Sequence, residues 1–468
     1  MDLLANFDLD ILPDDRRGIY LVGGTVRDLF MQLPPVDVDL VVDGDIHRVA
    51  EAIAAGRGGK TIVLGKKPFA VLRVVLPQVT IDITPLTQAT IDDDLRQRDF
   101  TVNAMAVDAH SGRLVDATGG MADMARKTIR AVSDTIFAND PARLVRAYRL
   151  AAMLRFAIAP GTRQAIQRER ERIEHVAAER IWAELAKLLA LANAGHTVRQ
   201  MAADGLLTAI IPELEPAIGC TQNAFHQFDV FEHSLRVLET LERLLAGSGD
   251  RFPELAAMLA ASAALPDAAT LKFAALLHDA GKPSTRRVDA DGRVTFHGHA
   301  VRSAAIADVV MRRLRLSNRQ REAAVAVIRH HIRPLSLFLA TKDGRVGKRG
   351  MIRFFDHCGD QALAVIAHAF ADIMAKNAVP RENDRAFLSF CSRLLEGYRR
   401  YRRRQAQAPP LINGHDLITI FHLTPSAQFK RILKQVEERR LAGMLTTRQQ
   451  ALDWTAAYLA RSRPPAEA

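Results

Sequence analysis

The amino-acid sequence predicts an α+β fold class, in which a small mixed α/β domain precedes an all-helical remainder. Apolar runs at 19–22, 36–42 and 71–76 have the length of short buried strands, and the third is rich in β-branched residues. Residues 206–395 follow a helical pattern almost throughout. Because 468 residues are too many for one hydrophobic core, we expect two to four domains.

The first glycine turn and the strand after it combine features of a phosphate site and of a metal site. Gly23 and Gly24 follow the first predicted strand and allow a sharp turn close to a ligand. Residues 25–31 are predicted to form a short helix, whose free N–H groups favour an anion such as phosphate. Asp37 and Asp39 lie two apart on the next predicted strand, so their carboxylates share a face and repel each other unless a divalent cation lies between them. This order favours phosphoryl or nucleotidyl transfer over the alternative of an isolated Asp pair on a solvated edge strand.

Composition and charge narrow the class of protein. The chain has 64 Lys+Arg against 53 Asp+Glu, a net charge of +11 and a pI near 9.8, which favours a polyanionic partner. Cys220, Cys358 and Cys391 are far apart and form no C-x-x-C motif, so we expect a reducing, cytoplasmic location and no thiolate zinc site. No apolar run approaches about 18 residues and the N-terminus lacks a basic region, so we expect neither secretion nor membrane insertion.

Two further polar features lie between residues 79 and 143. Asp82 sits between Ile81 and Ile83 in a predicted strand, and is a candidate either for a third metal carboxylate or for a structural hydrogen-bonding residue. Asp140 and Arg143 stand three apart, so on a helix they would share a face. An Arg donor beside an Asp acceptor matches the edge that cytosine and adenine share, and mismatches uracil and guanine. The alternative for this pair is an ordinary surface ion pair.

Histidine and aspartate residues recur in a fixed order in the helical region. A single histidine on a helix is more often a packed or solvated residue than a metal ligand. An ordered series of histidines and aspartates instead favours a metal site. Imidazole and carboxylate groups are ligands for a divalent transition metal ion. The series comprises His233, His278, Asp279, His297, His299, His330, His331 and Asp372.

The N-terminal motifs together resemble those of a known family. The strings GGTVRD at 23–28, DVDLVV at 37–42 and RQRDFTVNA at 96–104 are similar to the head of class II tRNA nucleotidyltransferases and bacterial poly(A) polymerases, of the polymerase-β superfamily. The resemblance implies a polymerase-β-like nucleotidyltransferase palm followed by an all-helical neck, HD body and tail, with Asp37 and Asp39 as catalytic Mg²⁺ ligands. The residues that it implies in nucleotide binding are Gly23, Gly24, Arg27 and Asp28 on the triphosphate side, Arg98, Asp99 and Asn103 at the sugar and phosphates, and Asp140, Arg143, Arg146 and Arg149 on the base-recognition face.

This chain departs from the family pattern at several positions. Gln97 replaces the first Arg of the second motif, and Asn139 replaces the Glu of the fourth. Residues 179–189 resemble the fifth motif, which we interpret as scaffold. Family members that add the whole CCA carry a couple of dozen residues between the strand of Asp82 and the second motif, whereas only residues 85–93 fill this gap here. Within the family, loss of this segment goes with enzymes that add CC and stop.

The histidine series resembles the HD phosphohydrolase superfamily, whose pattern is H…HD…H…H…D. The core ligand set implied by this resemblance is His233, His278, Asp279 and Asp372. A two-metal site would be completed by His299 and by one of His330 or His331. Lys282 could contact a phosphate, and a metal-held water would hydrolyse a phosphomonoester or a cyclic phosphodiester. The alternative is an HD domain that is kept only as an RNA-binding helical body.

These features predict four segments. They are a nucleotidyltransferase head at 1–135, a helical neck with the base-recognition motif at 136–205, an HD domain at 206–395, and a basic linker with a C-terminal helical RNA-binding tail at 396–468. The tail begins with the basic run 398–404, whose arginines suit phosphates and whose aromatic residues suit base stacking. A solvated helix face is an equal alternative for this run.

The predicted function is template-independent addition of C, with or without A, to the 3′ end of tRNA. The expected partners are tRNA and the nucleoside triphosphates CTP and ATP, and the expected cofactors are Mg²⁺ at the head and a divalent transition metal at the HD site. One alternative is a poly(A) polymerase or an A-adding enzyme, and another is an HD phosphohydrolase whose head only binds a ligand. The oligomeric state is not predicted.

Overall fold

The computed structural model describes residues 7–33, 35, 37–65, 71–247, 253–262, 265–340, 347–379, 381–407 and 409–461. The chain divides into two compact units. The N-terminal unit comprises Met1–Leu191 and Thr197–Ile210, and the C-terminal unit comprises Ala192–His196 and Ile211–Ala468. Within the described ranges, no helix combines the length and the apolar character that a membrane span requires.

A mixed seven-stranded sheet forms the base of the N-terminal unit. Its strands are β1 (Ile19–Val22), β2 (Asp37–Val42), β3 (Lys60–Leu64), β4 (Val71–Val75), β5 (Thr80–Pro85), β6 (Ala106–Asp108) and β7 (Leu114–Val115). Their order across the sheet is β3-β4-β5-β2-β1-β6-β7, and β2 runs parallel to β5 whereas the other neighbours are antiparallel. β3 is an edge strand that was not predicted, because its apolar residues Ile62 and Val63 are exposed and give no burial pattern. Val36, at the start of the predicted strand 36–42, lies outside the described residues.

Alternation along β2 separates the apolar core from the candidate metal ligands. Val38 and Leu40 are buried in the core. Asp37 and Asp39 project from the opposite face, where Asp37 is exposed and Asp39 is partly buried. The parallel register of β2 and β5 sets Asp39 beside Asp82. The sheet therefore brings together carboxylates that are 43 residues apart in the chain.

Short helices cover the sheet and continue beyond it. They are α1 (Gly24–Phe30), α2 (Ile46–Arg57), α3 (Ile91–Leu95), α4 (Gly120–Ala125), α5 (Ile136–Asn139), α6 (Arg143–Leu154), α7 (Pro160–Glu169), α8 (Ala178–Leu189), α9 (Ala194–Ala203), which contains the boundary between the units, and α10 (Leu206–Ile210). A two-stranded parallel sheet pairs β8 (Thr128–Ile129) with β9 (Ala157–Ile158). The predicted helix 25–31 is present as α1. α6 packs against α8, and this pairing positions the polar side chains described below.

The C-terminal unit is helical apart from one small hairpin. Its helices are α11 (Val230–Leu245), α12 (Pro253–Ala260), α13 (Ala268–Leu277), α14 (Lys282–Thr285), α15 (His299–Arg313), α16 (Asn318–His330), α17 (Arg333–Leu339), α18 (Lys348–Cys358), α19 (Ala362–Ala375), α20 (Glu382–Gln407), α21 (Gly414–Thr419), α22 (Ala427–Leu441) and α23 (Arg448–Arg461). The hairpin pairs β10 (Arg287–Val288) with β11 (Val294–Thr295). Asp229 and Asp267 cap the N-termini of α11 and α13 by accepting backbone N–H groups. Both α13 and α19 are buried along nearly their whole length, and α11 packs against both of them.

The basic run at 398–404 lies within α20, which continues to Gln407 instead of ending in a linker. Tyr398 and Tyr401 are buried, and their ring centroids lie 5.6 and 5.2 Å from that of Phe355. The expectation that these aromatic residues stack on bases is therefore wrong, because the helix turns them into the core. Four arginines of the run stay exposed, so the phosphate-binding expectation remains for them.

Candidate active site and metal centre

Gly23 brings the turn after β1 against the carboxylate face of β2. Its φ of 66° lies in the left-handed region, and a Cβ added there would lie 3.3 Å from Asp39 Oδ2 and 3.2 Å from Arg98 Nη1. The buried Thr25 fixes the same junction, because its hydroxyl accepts the N–H of Asp39 at 2.8 Å and donates to the carbonyl oxygen of Asp37 at 3.5 Å. Sequence reasoning gave Thr25 no role, since the contact is made by backbone that lies 12 and 14 residues away.

The electrostatics of this face centre on Asp39. Burial raises the pKa of Asp39 to about 6, and the charges of Asp82 and Asp37 act in the same direction, against Arg98 and Arg27. A bound divalent cation would stabilise the ionised form of these clustered carboxylates. Asp37 and Asp39 therefore fit a hard divalent cation with oxygen ligands.

Asp82 has a structural partner as well as a place beside Asp39. Its two carboxylate oxygens accept hydrogen bonds from Nε and Nη2 of Arg73, each at 2.7 Å. This bidentate pair across β4 and β5 gives Asp82 the structural role that was one of its two predicted alternatives. Its charge still adds to the carboxylate cluster through the register of β2 and β5.

Residues predicted to hold the nucleotide are joined by direct hydrogen bonds. The nearly buried Arg27 donates from Nε and Nη2 to Asp28 Oδ1 at 2.9 and 2.7 Å, and from Nη1 to Asn103 Oδ1 at 2.7 Å. Asn103 Nδ2 donates in turn to Asp99 Oδ1 at 3.3 Å, and the same oxygen accepts the N–H of Phe100 at 2.7 Å. The first and second sequence motifs thus form one polar network.

Glu184 extends this network to α6 and α8. Arg146 Nη1 donates to Asp99 Oδ2 at 3.3 Å, while its Nε donates to Glu184 Oε1 at 3.0 Å. Arg149 Nε donates to the other oxygen of Glu184. Glu184, which was interpreted as scaffold, is buried and orients two of the predicted nucleotide-binding arginines.

Asp140 and Arg143 do not lie on one helix, which corrects the predicted geometry. Pro141 disfavours helical backbone at Asp140, which has φ −147° and ψ 94° and ends α5, whereas Arg143 begins α6. Arg143 Nε still lies 3.9 Å from Asp140 Oδ2, and Arg180 Nη2 donates to the same oxygen at 2.8 Å. The pair is therefore retained in space, and Arg180 is an additional partner that the sequence did not reveal.

We expect Glu184→Gln to lower the free energy of unfolding of the N-terminal unit by about 3 kcal/mol, because it removes the carboxylate that two partly buried guanidinium groups share and leaves Arg146 with Asp99 alone. Denaturation followed by the fluorescence of Trp182 in a Trp454→Phe background measures this change, since Trp182 lies on α8. Glu171→Gln is the matched control, because the Glu171 side chain is 73% exposed and should change stability by less than about 0.5 kcal/mol. Equal stability of the two variants would contradict this assignment of Glu184.

Three histidine rings of the C-terminal unit have the same fixed tautomer. Because a carbonyl oxygen can only accept, the ring nitrogen Nδ1 that faces one must carry the proton. Each ring donates to the carbonyl oxygen three residues earlier, His278 to Ala275 at 2.8 Å, His299 to Phe296 at 2.8 Å and His331 to Ile328 at 2.6 Å. The Nε2 lone pairs of all three rings are therefore free to bind a metal, in the arrangement that commonly orients metal-ligating histidines.

These lone pairs face one another around Asp279. Nε2 of His299 lies 3.3 Å from Nε2 of His331, and Asp279 Oδ1 lies 3.5 and 3.8 Å from these two atoms. Asp279 Oδ2 lies 3.1 Å from Nε2 of His278. Two lone pairs at this distance repel each other unless a cation lies between them. This donor set fits a divalent transition metal.

A second group of ligands adjoins the first. His233, His278 and Asp372 form one cluster of potential ligand atoms, and His278, Asp279 and His331 form another. His233 Nε2 lies 3.0 Å from Asp372 Oδ1. Among the described residues, His233 Nδ1, His278 Nε2 and Asp279 Oδ1 are buried without a hydrogen-bond partner. Orphaned polar atoms of this kind are expected where a metal belongs.

Lys282 and burial set the protonation of the residues in the centre. Lys282 Nζ lies 2.6 Å from Asp279 Oδ2 and donates to Gln222 Oε1 at 2.6 Å. Although burial opposes it, the neighbouring His278 and Lys282 hold the pKa of Asp279 well below its usual range. Burial lowers the pKa of His331 to about 3, so this ring is neutral and able to act as a ligand near neutral pH.

The structure separates the histidines that the sequence could not distinguish. His331 is buried in the cluster, whereas His330 turns away and its Nδ1 accepts a hydrogen bond from Arg333 Nε at 2.8 Å. His330 therefore does not join the ligands, because adjacent residues of a helix point in directions about 100° apart. His299, but not the exposed His297, approaches Asp279.

Two histidines near the centre were missed. His368 lies four residues before Asp372 on α19 and is buried against His278, and the helical spacing was the available signal. His226 precedes α11, donates or accepts through Nδ1 at Asn223 Oδ1 and lies with its ring centroid 5.4 Å from that of His233. His226 lines a cavity of about 750 Å³, whose lining also includes Phe225, Lys282, Arg293, His299 and Lys376.

Residues 19–130 match the model of the poly(A) polymerase head domain, residues 155–218 match the model of the probable RNA and SrmB-binding site of polymerase A, and residues 230–350 match the HD domain. Among solved structures, a CCA-adding enzyme in complex with ATP matches with a TM-score of 0.65 at 21% identity, covering 100% of this chain and 94% of that one. The Thermotoga maritima CCA-adding enzyme complexed with tRNA matches with a TM-score of 0.64 at 22% identity, covering 94% and 91%. The predicted fold class, an α+β head followed by a helical body, is confirmed.

Two curated relatives match more than nine-tenths of the chain. The chain is 29% identical over 436 residues to a CC-adding tRNA nucleotidyltransferase of Thermus thermophilus, covering 92% of this chain and 91% of the relative. It is 33% identical over 448 residues to an A-adding tRNA nucleotidyltransferase of Deinococcus radiodurans, covering 94% and 95%. With this similarity over nearly the full length of both chains, the protein belongs to the family of tRNA nucleotidyltransferases that carry a poly(A) polymerase head domain and an HD domain, and it is an enzyme of that class.

Proposed function

We propose that this protein adds nucleotides to the 3′ end of tRNA without a nucleic-acid template, using CTP in the first of the two versions discussed below and ATP in the second. The observation that carries the proposal is the pair Asp37 and Asp39 on one face of β2, held against the Gly23 turn by Thr25. The relatives named above as tRNA nucleotidyltransferases support tRNA as the substrate. The exposed arginines of α20 and the net charge of +11 support a polyanionic partner.

Asp37 and Asp39 would hold Mg²⁺, the cation that suits carboxylates and substrate phosphates. When bound, the metal activates the attacking 3′-hydroxyl and stabilises the charge on the leaving pyrophosphate. The contribution of Gly23 is to keep side-chain atoms away from the space beside Asp39 Oδ2. Arg27 and Asn103, fixed by the network of Asp28 and Asp99, would orient the triphosphate and the sugar.

Base selection is proposed for Asp140 and Arg143. The guanidinium group of Arg143 is held by the carbonyl oxygens of Arg98 and Gln97, each at 3.4 Å, while Asp140 is held by Arg180. A fixed donor beside a fixed acceptor complements the edge of cytosine and adenine. Uracil or guanine at this position would leave polar groups unpaired, which discriminates strongly.

We propose that the enzyme adds two C residues and then stops. β5 ends at Pro85 and α3 begins at Ile91, so only residues 86–90 connect them, with the N–H of Leu86 bonded to the carbonyl oxygen of Val42 at 2.8 Å. A connection this short leaves no segment that could move to reshape the base site for A after C. The second candidate is A addition, which is favoured by the 33% identity to an enzyme of that name.

The decisive experiment extends three substrates, which are tRNA that lacks its last three nucleotides, tRNA that ends in CC, and an unrelated RNA. Each is incubated with Mg²⁺ and with CTP and ATP supplied separately and together. We expect growth by two residues with CTP and no further growth when ATP is added. Growth only by one A on tRNA that ends in CC would establish the second candidate, and growth by three would refute the argument from the short connection. ATP incorporation on any RNA would identify a poly(A) polymerase, and no incorporation would overturn the proposed function.

We further propose that the HD cluster hydrolyses phosphomonoesters or cyclic phosphodiesters with a divalent transition metal. Asp279, whose Oδ2 faces His278 and whose Oδ1 faces His299 and His331, would hold the metal together with these histidines, and the metal would supply an activated water for hydrolysis. Lys282 at the cavity would contact the substrate phosphate. The proposal also includes the four predicted segments, which are the head, the neck, the HD domain and the tail. It includes a cytoplasmic location as well, which the three free cysteines support.

A further inference from the structure

The cavity beside the HD cluster has room for more than a phosphate group. Its volume is about 750 Å³, and Asp279, His299, His331 and Asp372 are among the residues that line it. Pockets of about 300–1,000 Å³ enclose whole small molecules, of which a phosphate group is only a small part. The lining residues outside the metal cluster therefore face the remainder of the substrate.

One wall of this cavity is fixed by hydrogen bonds between two segments that lie far apart in the sequence. The N–H of Gln227 donates to the carbonyl oxygen of Lys376 at 3.1 Å, and the N–H of Ala378 donates to Gln227 Oε1 at 3.0 Å. Asn377 Nδ2 donates to the carbonyl oxygen of Phe225 at 3.3 Å. These bonds hold the backbone of Lys376 in place and leave its ammonium group unused.

The side chain of Lys376 is a cation without a counter-ion in the part of the chain that the structure describes. It is partly buried and lines the cavity, and no ion pair joins it to a described carboxylate. Asp372, one helical turn earlier on α19, instead lies 3.0 Å from Nε2 of His233. A partly buried ammonium group that lacks a carboxylate partner favours a bound anion.

The other charged residues of the lining have opposite charges beside them. Lys282 Nζ lies 2.6 Å from Asp279 Oδ2, so this positive charge belongs to the metal centre. Arg293 and Asp291 both lie at the exposed turn of the β10–β11 hairpin, where their charges offset each other. Among the described residues of the lining, Lys376 therefore carries the positive charge that has no counterpart.

The helix α19 sets the distance between Lys376 and the metal cluster. Asp372 and Lys376 are four residues apart, so they share a face of the helix and are separated by about 6 Å along its axis. A phosphate at the metal and an anionic group at Lys376 can therefore belong to one small molecule. We propose that Lys376 binds a second anionic group of the substrate, so that the HD site prefers phosphate esters that carry a second phosphate group. This inference rests on the proposed hydrolysis of phosphate esters at the HD cluster.

The alternative is a structural role for Lys376 at the end of α19. A cation in the last turn of a helix interacts favourably with the helix dipole, and this interaction requires no ligand. It contributes to stability but does not distinguish one substrate from another. Substrate preference therefore separates the two roles, whereas a change in stability does not.

The test measures phosphate release from adenosine 3′,5′-bisphosphate, adenosine 3′-phosphate and adenosine 5′-phosphate by the full-length protein with a saturating divalent transition metal. In the wild type we expect kcat/KM for the bisphosphate to exceed that for the better monophosphate about tenfold or more. Lys376→Gln should reduce this preference about tenfold, mainly through a higher KM for the bisphosphate, whereas Lys376→Arg should retain it.

Lys430→Gln is the matched control, since Lys430 is exposed on α22 and does not line the cavity. We expect it to keep the preference of the wild type. The proposal would be overturned by a wild type that does not prefer the bisphosphate, or by an unchanged preference in Lys376→Gln.

A binding measurement separates failure of this subsite from failure of the proposed hydrolysis. It uses calorimetry of the chelator-stripped, full-length protein with adenosine 3′,5′-bisphosphate, and we expect Lys376→Gln to weaken binding about tenfold. Nucleotide bound by the N-terminal unit contributes equally to both proteins, since the substitution lies in the C-terminal unit. Weaker binding by Lys376→Gln, with no phosphate release by the wild type, would support the subsite and refute the hydrolysis. Equal binding by the two proteins would refute the subsite and leave the proposed hydrolysis intact.

Discussion

Replacing Asp39 with asparagine should abolish nucleotide addition and at the same time stabilise the metal-free protein. The loss of activity follows because a carboxylate ligand of the proposed Mg²⁺ is removed. Metal stabilisation of transition-state charge contributes several kcal/mol, so we expect a loss of at least ~10³-fold in the rate of CMP addition. The measurement is single-turnover extension of tRNA in the presence of Mg²⁺.

The gain in stability follows from the pKa of Asp39. Because burial raises this pKa from 3.8 to about 6, the folded state binds the proton more tightly than the unfolded chain. At acid pH below the unfolded value both states hold the proton and the carboxyl group has no net effect. Between about pH 4 and 6 the unfolded chain ionises this carboxyl group while the folded state keeps it protonated, so stability is lost progressively over this range. Above about pH 6 both states are ionised, and the folded state carries the full cost of the disfavoured carboxylate, at most about 3 kcal/mol from two pKa units at 1.36 kcal/mol each.

Asparagine keeps the shape of the side chain and removes this charge. The difference in unfolding temperature between Asp39→Asn and the wild type should therefore be small at pH 4 and largest at pH 7.5, in the absence of Mg²⁺. Asp37→Asn is the matched control, because Asp37 is exposed and should lose catalysis with little change in stability. A destabilised Asp39→Asn protein at pH 7.5 would show that the carboxylate makes favourable contacts that outweigh its desolvation.

Local sequence patterns predicted the features that depend on neighbouring residues. The alternation in 37–42 sufficed to assign Asp37 and Asp39 to one face, since strand geometry fixes that relation. The short connection between β5 and α3 was also visible as a count of residues. The same reasoning failed for Tyr398 and Tyr401. Arginines surround both tyrosines in the sequence, which does not show that this face of the helix packs on Phe355.

Local sequence patterns could not predict contacts between residues that lie far apart in the sequence. Glu184 binds Arg146 and Arg149, which precede it by 38 and 35 residues, and its position in an amphipathic helix suggested only a scaffold. The kink at Asp140 could have been foreseen from Pro141, since the residue before a proline avoids helical backbone. His368 lies four residues before Asp372, but its ring contacts with His278 and His331 depend on residues at the ends of α13 and α16, which the sequence does not place beside it.

Replacing His331 with alanine should abolish hydrolysis by the HD cluster, whereas the same change at the adjacent His330 should leave it intact. His331 Nε2 faces Asp279 Oδ1 at 3.8 Å and His299 Nε2 at 3.3 Å, so its loss removes a ligand from the centre. We expect the rate of hydrolysis of bis(p-nitrophenyl) phosphate with a saturating divalent transition metal to fall about 10²-fold or more. Metal analysis of the same samples should show less bound metal in His331→Ala than in His330→Ala.

The value of this comparison is that the two variants lose the same side chain at adjacent positions. The two variants have the same composition and formal charge, so a difference in hydrolysis between folded samples reports the direction in which each ring points. Extension of tRNA by both variants checks that the rest of the chain is folded. If His330→Ala loses hydrolysis and His331→Ala retains it, the end of α16 must be rotated relative to the geometry described above, and the fixed tautomer of His331 would then lack a function. If both variants retain hydrolysis, catalysis depends on the group of His233, His278 and Asp372 alone, and one metal ion is sufficient.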